Sequence, residues 1–194
     1  MKIQNKKIQV HKFLFELFGR ETTTFHLLAI VIASLSFAGL TLLLKLNTDI
    51  SNFKLIVLTI LTLDIAGGVV ANFTAGTTNY YAESLRKRYF FVLFHLLQPS
   101  ILIWIFPNEF QAILGVSIFT LLCSFIVLNI NKHYIQRITA ITLLLLSFIL
   151  SILLNYSDPL LQIIMQLFSI KLILAFSVNW NSIDKNETRK ENNE

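Results

Sequence analysis

The chain has 194 residues, of which 55% are hydrophobic and only 14% are charged. Soluble domains carry about 25% charged residues, so this composition excludes an ordinary soluble fold and favours a membrane protein of a single domain. The formal net charge is +5, but the bases flank apolar runs instead of forming a basic face with aromatic platforms. This distribution argues against nucleic acid as a partner.

Six apolar segments follow one another along the chain, each long enough to cross a bilayer. A spanning helix needs roughly 20 apolar residues, and in lipid its backbone must satisfy its own hydrogen bonds. The runs lack the alternation of a barrel strand. We therefore predict an all-α integral membrane protein, a bundle of six transmembrane helices within a domain at residues 25–180. The predicted spans are residues 25–46, 53–73, 89–107, 110–130, 135–156 and 159–180.

The distribution of lysine and arginine predicts the orientation of these helices. With a cytoplasmic N-terminus, 13 of the 16 Lys and Arg residues fall on the inner side, Lys45 and Lys54 fall on the outer side, and Lys171 lies within the last span. Cytoplasmic loops of membrane proteins carry the excess of positive charge. The pattern therefore predicts that both termini are cytoplasmic and that the protein is integral to the cell (plasma) membrane.

Two polar segments flank the six spans. Residues 1–24 mix bases with Phe and Leu, which predicts a cytoplasmic basic segment. This segment is either an amphipathic helix at the inner headgroups or a short cytosolic extension. Residues 181–194 are polar and poor in apolar side chains, which predicts a disordered cytoplasmic tail.

A carboxylate in the middle of the second span is the main functional signal. A charge near the bilayer centre costs a few kcal/mol, so Asp64 indicates a functional site. Lys171 in the sixth span is predicted at nearly the same depth, roughly 15 Å above the inner surface at the helical rise. Two opposite charges offset part of their desolvation cost by meeting. Lys171 is therefore one candidate partner of Asp64, unless it snorkels toward the inner surface, and His95, slightly nearer the inner surface, is the other.

Three further polar side chains are predicted to lie near this pair. Asn72 shares a helix face with Asp64 because residues spaced by four do so. His95 lies on the third span, and Gln98 follows it by three residues. Pro99 then breaks the backbone ladder, so a carbonyl near His95 needs another partner or lines a cavity. The candidates for binding a substrate or an ion are Asp64, Asn72, His95, Gln98 and Lys171.

Small residues follow Asp64 at helical spacing. Small side chains let a second helix approach closely, so the pattern predicts a helix-packing face. Gly68 lies at the depth of His95, and we expect its missing side chain to leave room for the imidazole. The residues of this predicted face are Gly67, Gly68, Ala71, Ala75 and Gly76.

The longest loop, residues 74–88, ends in three consecutive bases on the predicted cytoplasmic side. Arg86, Lys87 and Arg88, with the hydroxyls of the same loop, could bind a phosphate or an anionic lipid headgroup. The alternative is that the run only fixes the topology of the chain.

Motifs of familiar enzyme chemistry are absent from the sequence. There is no His-Glu-x-x-His motif, nucleophile elbow, P-loop or dinucleotide fingerprint. The single cysteine, Cys123, offers neither a disulfide nor a thiolate metal site. We therefore expect no metal and no cofactor.

Three functions remain compatible with these features. The preferred one is a small transporter or transport-associated protein, in which Asp64 carries a proton or holds a cationic group, with Lys171 or His95 as counter-group. Six spans are few for a complete transporter, so a homo-oligomer is plausible. A second is a non-catalytic interaction, sensory or immunity-type subunit that binds another membrane protein through the small-residue face. A third is an intramembrane enzyme acting on a lipid or isoprenoid substrate, with Asp64 and His95 as acid and base.

Overall fold

The computed structural model describes residues 7–46 and 48–180, so the tail predicted at residues 181–194 lies outside the described residues. Within them, six helices are long and apolar enough to cross a membrane. Each begins and ends within four residues of a span predicted from the sequence. The lengths and positions of the apolar runs therefore locate the helices well.

The N-terminal segment forms a small hairpin before the bundle begins. Strand β1 (Lys7–Gln9) pairs antiparallel with β2 (Glu21–Thr23), and the short helix α1 (Phe15–Phe18) lies between them. Gly19 follows α1 with a φ of 72°, which glycine adopts without steric cost. This turn ends the helix, so the segment does not form the single amphipathic helix that was one of the two expectations.

The bundle follows directly, and a short helix, α4, lies between its second and third members. The third member is divided into α5 and α6, and the last changes from α-helix to π-helix. The bounds are α2 Thr24–Lys45, α3 Asn52–Asn72, α4 Ala75–Ala82, α5 Leu85–Phe94, α6 Leu97–Ile105, α7 Phe110–Leu128, α8 His133–Leu153 and α9 Pro159–Ser169, which continues as a π-helix over Ile170–Phe176.

The break between α5 and α6 has a local cause. Pro99 has no N–H, so the carbonyl of His95 cannot accept the regular helical bond from it. The backbone N–H of Gln98 donates to that carbonyl instead, at 3.2 Å. The freed carbonyl is thus satisfied by a tighter turn, and the side chains of His95 and Gln98 are both buried.

The last helix lies at the centre of the bundle. It is the most deeply buried of the six helices, whereas α2 is the least buried. Leu161, Met165 and Phe168 of α9 are fully enclosed and pack in one cluster with Leu58 and Ile65 of α3. The π-helix that follows α9 therefore packs against its neighbours at the centre of the bundle.

Hydrogen bonds between buried hydroxyl groups connect neighbouring helices. Thr41 of α2 donates to Thr62 of α3 at 3.0 Å. Ser169 lies 2.8 Å from the hydroxyl of Thr120 on α7 and 2.8 Å from that of Ser147 on α8. Such interhelical bonds are common where lipid surrounds a bundle, because lipid offers no driving force between apolar helix faces.

The outer surface of the bundle is strongly apolar. Leu28 and Ile32 on α2, and Leu145 and Ile149 on α8, are each more than half exposed. Soluble monomers rarely expose contiguous apolar patches larger than a few hundred Å². Together with the six long apolar helices, this surface supports a multi-pass membrane protein.

The small residues after Asp64 do not form one continuous face. A Cβ on Gly67 would lie 2.2 Å from the hydroxyl oxygen of Ser34, so Gly67 allows α2 and α3 to approach closely. Helix α3 ends at Asn72, and Ala75 and Gly76 belong to α4. The prediction of a face running from Gly67 to Gly76 is therefore corrected: the helix ends before the row is complete.

We expect Gly76→Ala to loosen the N-terminal hairpin. An added Cβ would lie 2.5 Å from the carbonyl oxygen of Phe18 and 2.3 Å from that of Glu21, and backbone atoms cannot rotate away. Overpacking of this kind costs about 1–3 kcal/mol. Gly39→Ala is the matched control, since nothing lies within 4 Å of its added Cβ. Tryptic cleavage after Arg20 should become several-fold faster in Gly76→Ala only, and equal rates in the two variants would contradict the prediction.

Candidate functional site

Lys171 and Asp64 form the ion pair expected from their depths. Lys171 Nζ lies 3.0 Å from Asp64 Oδ2 and 3.4 Å from the backbone oxygen of Asp64. The two side chains differ sharply in accessibility, since that of Lys171 is 3% exposed and that of Asp64 is 46% exposed. The pair therefore presents its carboxylate at the surface and keeps its ammonium group inside the bundle.

Two backbone features hold Lys171 in this position. It is the second residue of the π-helical segment, in which the N–H of Ser177 bonds five residues back to the carbonyl of Leu172. Such segments are rare and frequently occur at functional sites. A Cβ on Gly68 would lie 2.4 Å from Lys171 Cε. Gly68 therefore leaves room for the lysine stem, whereas the sequence led us to expect room for His95.

Gln98 completes the hydrogen bonding of the ion pair from the third helix. Its Nε2 donates to Asp64 Oδ2, the oxygen that also accepts from Lys171. Its Oε1 is buried and has no hydrogen-bond partner among the described residues. A buried polar atom without a partner is uncommon in folded proteins and calls for an explanation.

His95 lies beside these groups but is oriented by its own helix. Its Nδ1 lies 2.7 Å from the carbonyl oxygen of Phe91. A carbonyl only accepts, so the proton is assigned to Nδ1. Within the described part of the chain, no hydrogen bond joins His95 to Asp64. The two residues line the same cavity.

Of the five candidate residues, Asn72 has the contacts most typical of a structural role. It is buried, and its Nδ2 lies 3.5 Å from the backbone oxygen of Lys171, the upper limit of a hydrogen bond. It thereby links the end of α3 to the last helix. Ala71 and Asn72 both line the cavity, but neither contacts a charged atom of the ion pair in the described structure.

A cavity of about 490 Å³ lies over the carboxylate, between α3 and the divided third helix. This volume is within the range of small-molecule sites. Most of its wall is apolar, and Ile60, Phe94 and Leu97 on its rim are more than half exposed. The cavity therefore opens on the side of the bundle as a cleft, in the direction that the lipid chains of a membrane would occupy.

The N-terminal hairpin and α4 close one end of this cleft, which the sequence did not indicate. Glu16, Leu17 and Tyr81 line that end, and Tyr81 Oη donates to the backbone oxygen of Glu16 at 3.4 Å. Burial, with a smaller contribution from Glu16, raises the pKa of Tyr81, so its hydroxyl stays a neutral donor. Adjacent tyrosines near a span end are typical of an aromatic belt, so their position in the sequence does not indicate this contact.

The three consecutive bases do not meet at one anion site. Arg88 donates to two backbone carbonyls at the end of the last helix, each at 3.0 Å. A basic side chain at a helix C-terminus satisfies carbonyls that have no helical partner. Lys87 lies 3.4 Å from Glu83, and Arg86 and Lys87 line a separate groove of about 470 Å³. Arg88 is thus a helix cap, and two of the three phosphate candidates remain.

In the described part of the chain, no group of three or more His, Cys, Asp or Glu side chains could hold a metal ion. The site instead contains its own cation. The ammonium group of Lys171 occupies the position on Asp64 Oδ2 that a bound metal ion would otherwise take.

We expect Lys171→Met to destabilise the protein more than the double variant Asp64→Ala with Lys171→Met. Removing one partner of a buried pair costs about 3–5 kcal/mol, whereas apolar replacement of both is often neutral; the exposure of Asp64 reduces this figure. The measurement is the Tm in lipid nanodiscs, followed by tryptophan fluorescence. A double variant that melts below Lys171→Met would contradict this expectation.

The comparisons with known proteins give no further guide to the cleft. The groups around Asp64 therefore carry the functional inference by themselves. The chain matches no protein family model, no curated protein and no solved structure.

Proposed function

We propose that this protein is a small transporter or transport-associated protein of the cell membrane. An amphipathic ligand enters the lateral cleft from the bilayer, and Asp64 carries a proton or holds the polar end of the ligand. The observation that supports this function is the asymmetry of the ion pair, since Asp64 is 46% exposed toward the cleft and Lys171 is 3% exposed. A pair that served only packing would be closed on both sides.

The energetic cost of Asp64 favours a role in binding. A charge at this depth in lipid costs a few kcal/mol even after local adaptation of the bilayer. Lys171 and Gln98 compensate one carboxylate oxygen, Oδ2. A ligand with a polar end would compensate the other oxygen and would shield it from the lipid chains. Uptake and release of a proton at Asp64 would then change the charge balance next to Lys171.

The proposed orientation places both termini in the cytoplasm. Thr77 of α4 donates to the backbone of Leu17, and Arg88 binds the end of the last helix, so these segments share one end of the bundle. Lys45 pairs with Asp158 at the opposite end. Most of the described Lys and Arg residues lie in elements at the first end, which favours a cytoplasmic position for it.

The proposed partner is the lipid bilayer. All the groups of the cleft come from one chain, so a homo-oligomer is compatible with the function but is not needed to build the site. The alternative of an interaction subunit loses its main support, because the small residues of α3 are covered within the chain. Gly67 packs against Ser34, and Gly68 packs against Lys171.

An intramembrane enzyme acting on a lipid or isoprenoid substrate is the second candidate. The observation in its favour is that Asp64 and His95 line the same cleft, as an acid and base pair would. A phosphate-bearing substrate fits less well. Arg88 is held at the end of the last helix, and Arg86 and Lys87 line the neighbouring groove.

Asp64→Asn should abolish proton flux through the reconstituted protein. Asparagine cannot take up a proton at this position, whereas the cleft keeps its shape. Vesicles containing a trapped pH-sensitive dye are given a pH step, with 1-decanol present as the amphipathic probe. The wild type is expected to dissipate the gradient faster than protein-free vesicles containing the same probe, and Asp64→Asn at the protein-free rate.

Asp158→Asn is the matched control for this measurement. It disrupts the ion pair with Lys45, at the opposite end of the bundle. It should retain the wild-type flux even if its Tm falls. A wild type no faster than protein-free vesicles, or equal fluxes in Asp64→Asn and the wild type, would contradict the proposed function.

A further inference from the structure

We propose that the polar end of the ligand is an uncharged hydrogen-bond donor, so that the cleft accepts an alcohol with an apolar tail. This inference rests on the proposed function, because it takes the cleft to be a binding site. It goes further by naming the chemical class of the ligand. Four features of the cleft support it: its unpaired acceptors, its paired donors, its charge balance and its apolar walls.

The polar side-chain atoms of the ion pair and Gln98 that have no hydrogen-bond partner in the described structure are acceptors. Both Lys171 and Gln98 donate to Asp64 Oδ2, which leaves Oδ1 without a hydrogen bond in the described structure. Gln98 directs its amide nitrogen at the carboxylate, so its Oε1 remains buried without a partner among the described residues. The Nδ1 of His95 is engaged with Phe91, and the neutral ring then offers Nε2 as an acceptor.

The hydrogen-bond donors of Lys171 and Tyr81 already have partners within the protein. The ammonium group of Lys171 contacts two oxygens of Asp64 and lies over Gly68, and its side chain is only 3% exposed. The hydroxyl of Tyr81 is directed at the backbone oxygen of Glu16. A ligand that enters the cleft therefore meets acceptors first, and a carboxylate or phosphate end would face Asp64 without reaching Lys171.

The charge balance of the site selects an uncharged donor. Asp64 and Lys171 neutralise each other, and their charges lie 3.0 Å apart. An ammonium group on the ligand would add a second cation beside Lys171, and an anion would add a second negative charge beside Asp64. Like charges repel strongly where the effective dielectric constant is low. A hydroxyl group adds a donor without disturbing this balance.

The walls of the cleft suit an apolar tail. Ile60, Leu61 and Ile101 line it beyond the polar end, and Phe94 and Leu97 form part of its open rim. The volume of about 490 Å³ holds the polar end and the first part of a chain. The remainder of the tail would leave through the lateral opening into the bilayer.

The test compares four probes with the same ten-carbon chain on the wild-type protein in lipid nanodiscs. The probes are 1-decanol, decylamine, decanoate and decane, at a pH where the amine and the acid are charged. A ligand that binds the folded state raises its Tm according to its affinity, so the Tm is recorded against the mole fraction of probe in the lipid. We expect 1-decanol to bind about tenfold more tightly than the other three, the equivalent of 1.4 kcal/mol.

The variant Gln98→Met assigns that preference to the cleft. Methionine keeps the length of the side chain and removes both the unpaired oxygen and the amide nitrogen that donates to Asp64 Oδ2. It should weaken 1-decanol binding about tenfold and leave decane binding unchanged. Asp158→Asn is the control and should leave both unchanged. The wild-type comparison remains decisive if Gln98→Met does not fold.

The possible results separate this inference from the proposed function. If decylamine or decanoate binds as tightly as 1-decanol, the inference is overturned, while a ligand cleft remains. If 1-decanol binds no better than decane, the inference is also overturned. If none of the four probes raises the Tm, both the inference and the proposed function fail.

Discussion

The ion pair between Asp64 and Lys171 is the constraint on which the rest of the structure depends. A carboxylate and an ammonium group inside an apolar bundle are stable only if they meet. Their contact at 3.0 Å fixes the last helix against α3 at one depth and in one rotation. Gly68 makes this approach possible because the lysine stem passes where a larger residue would stand. The path of the central helix and the position of the cleft both follow from this contact.

The π-helix adjusts the last helix to the requirement of the pair. Residues before Ile170 have α-helical geometry, and Ser169 there is bonded to hydroxyl groups on α7 and α8. From Ile170 onward the wider turn changes the direction of successive side chains. One helix can thus bond to a hydroxyl cluster on one side and to Asp64 on the other. An uninterrupted α-helix would have to satisfy both sets of partners with one fixed rotation per residue.

The sequence predicted the features that depend on hydrophobicity and depth. Six helices, the central charge and the similar depth of Lys171 all follow from apolar run lengths and a rise of 1.5 Å per residue, whereas the choice between Lys171 and His95 as its partner does not. Features that depend on rotation or on distant contacts could not be predicted. The π-helix is one example, because no residue type in the sequence indicates a change from α-helical to π-helical geometry. The role of Gly68 is another, since depth alone cannot distinguish space for His95 from space for Lys171.

The break in the third helix has a mechanical consequence. Arg88 fastens α5 to the end of the last helix, and Gln98 fastens α6 to Asp64 on α3. The two halves of the divided third helix are thus attached to two different neighbours, the last helix and α3. Only the short joint at His95 and Leu96 connects them. A movement of α5 relative to α6 that keeps both attachments must therefore bend the chain at this joint, beside the imidazole of His95.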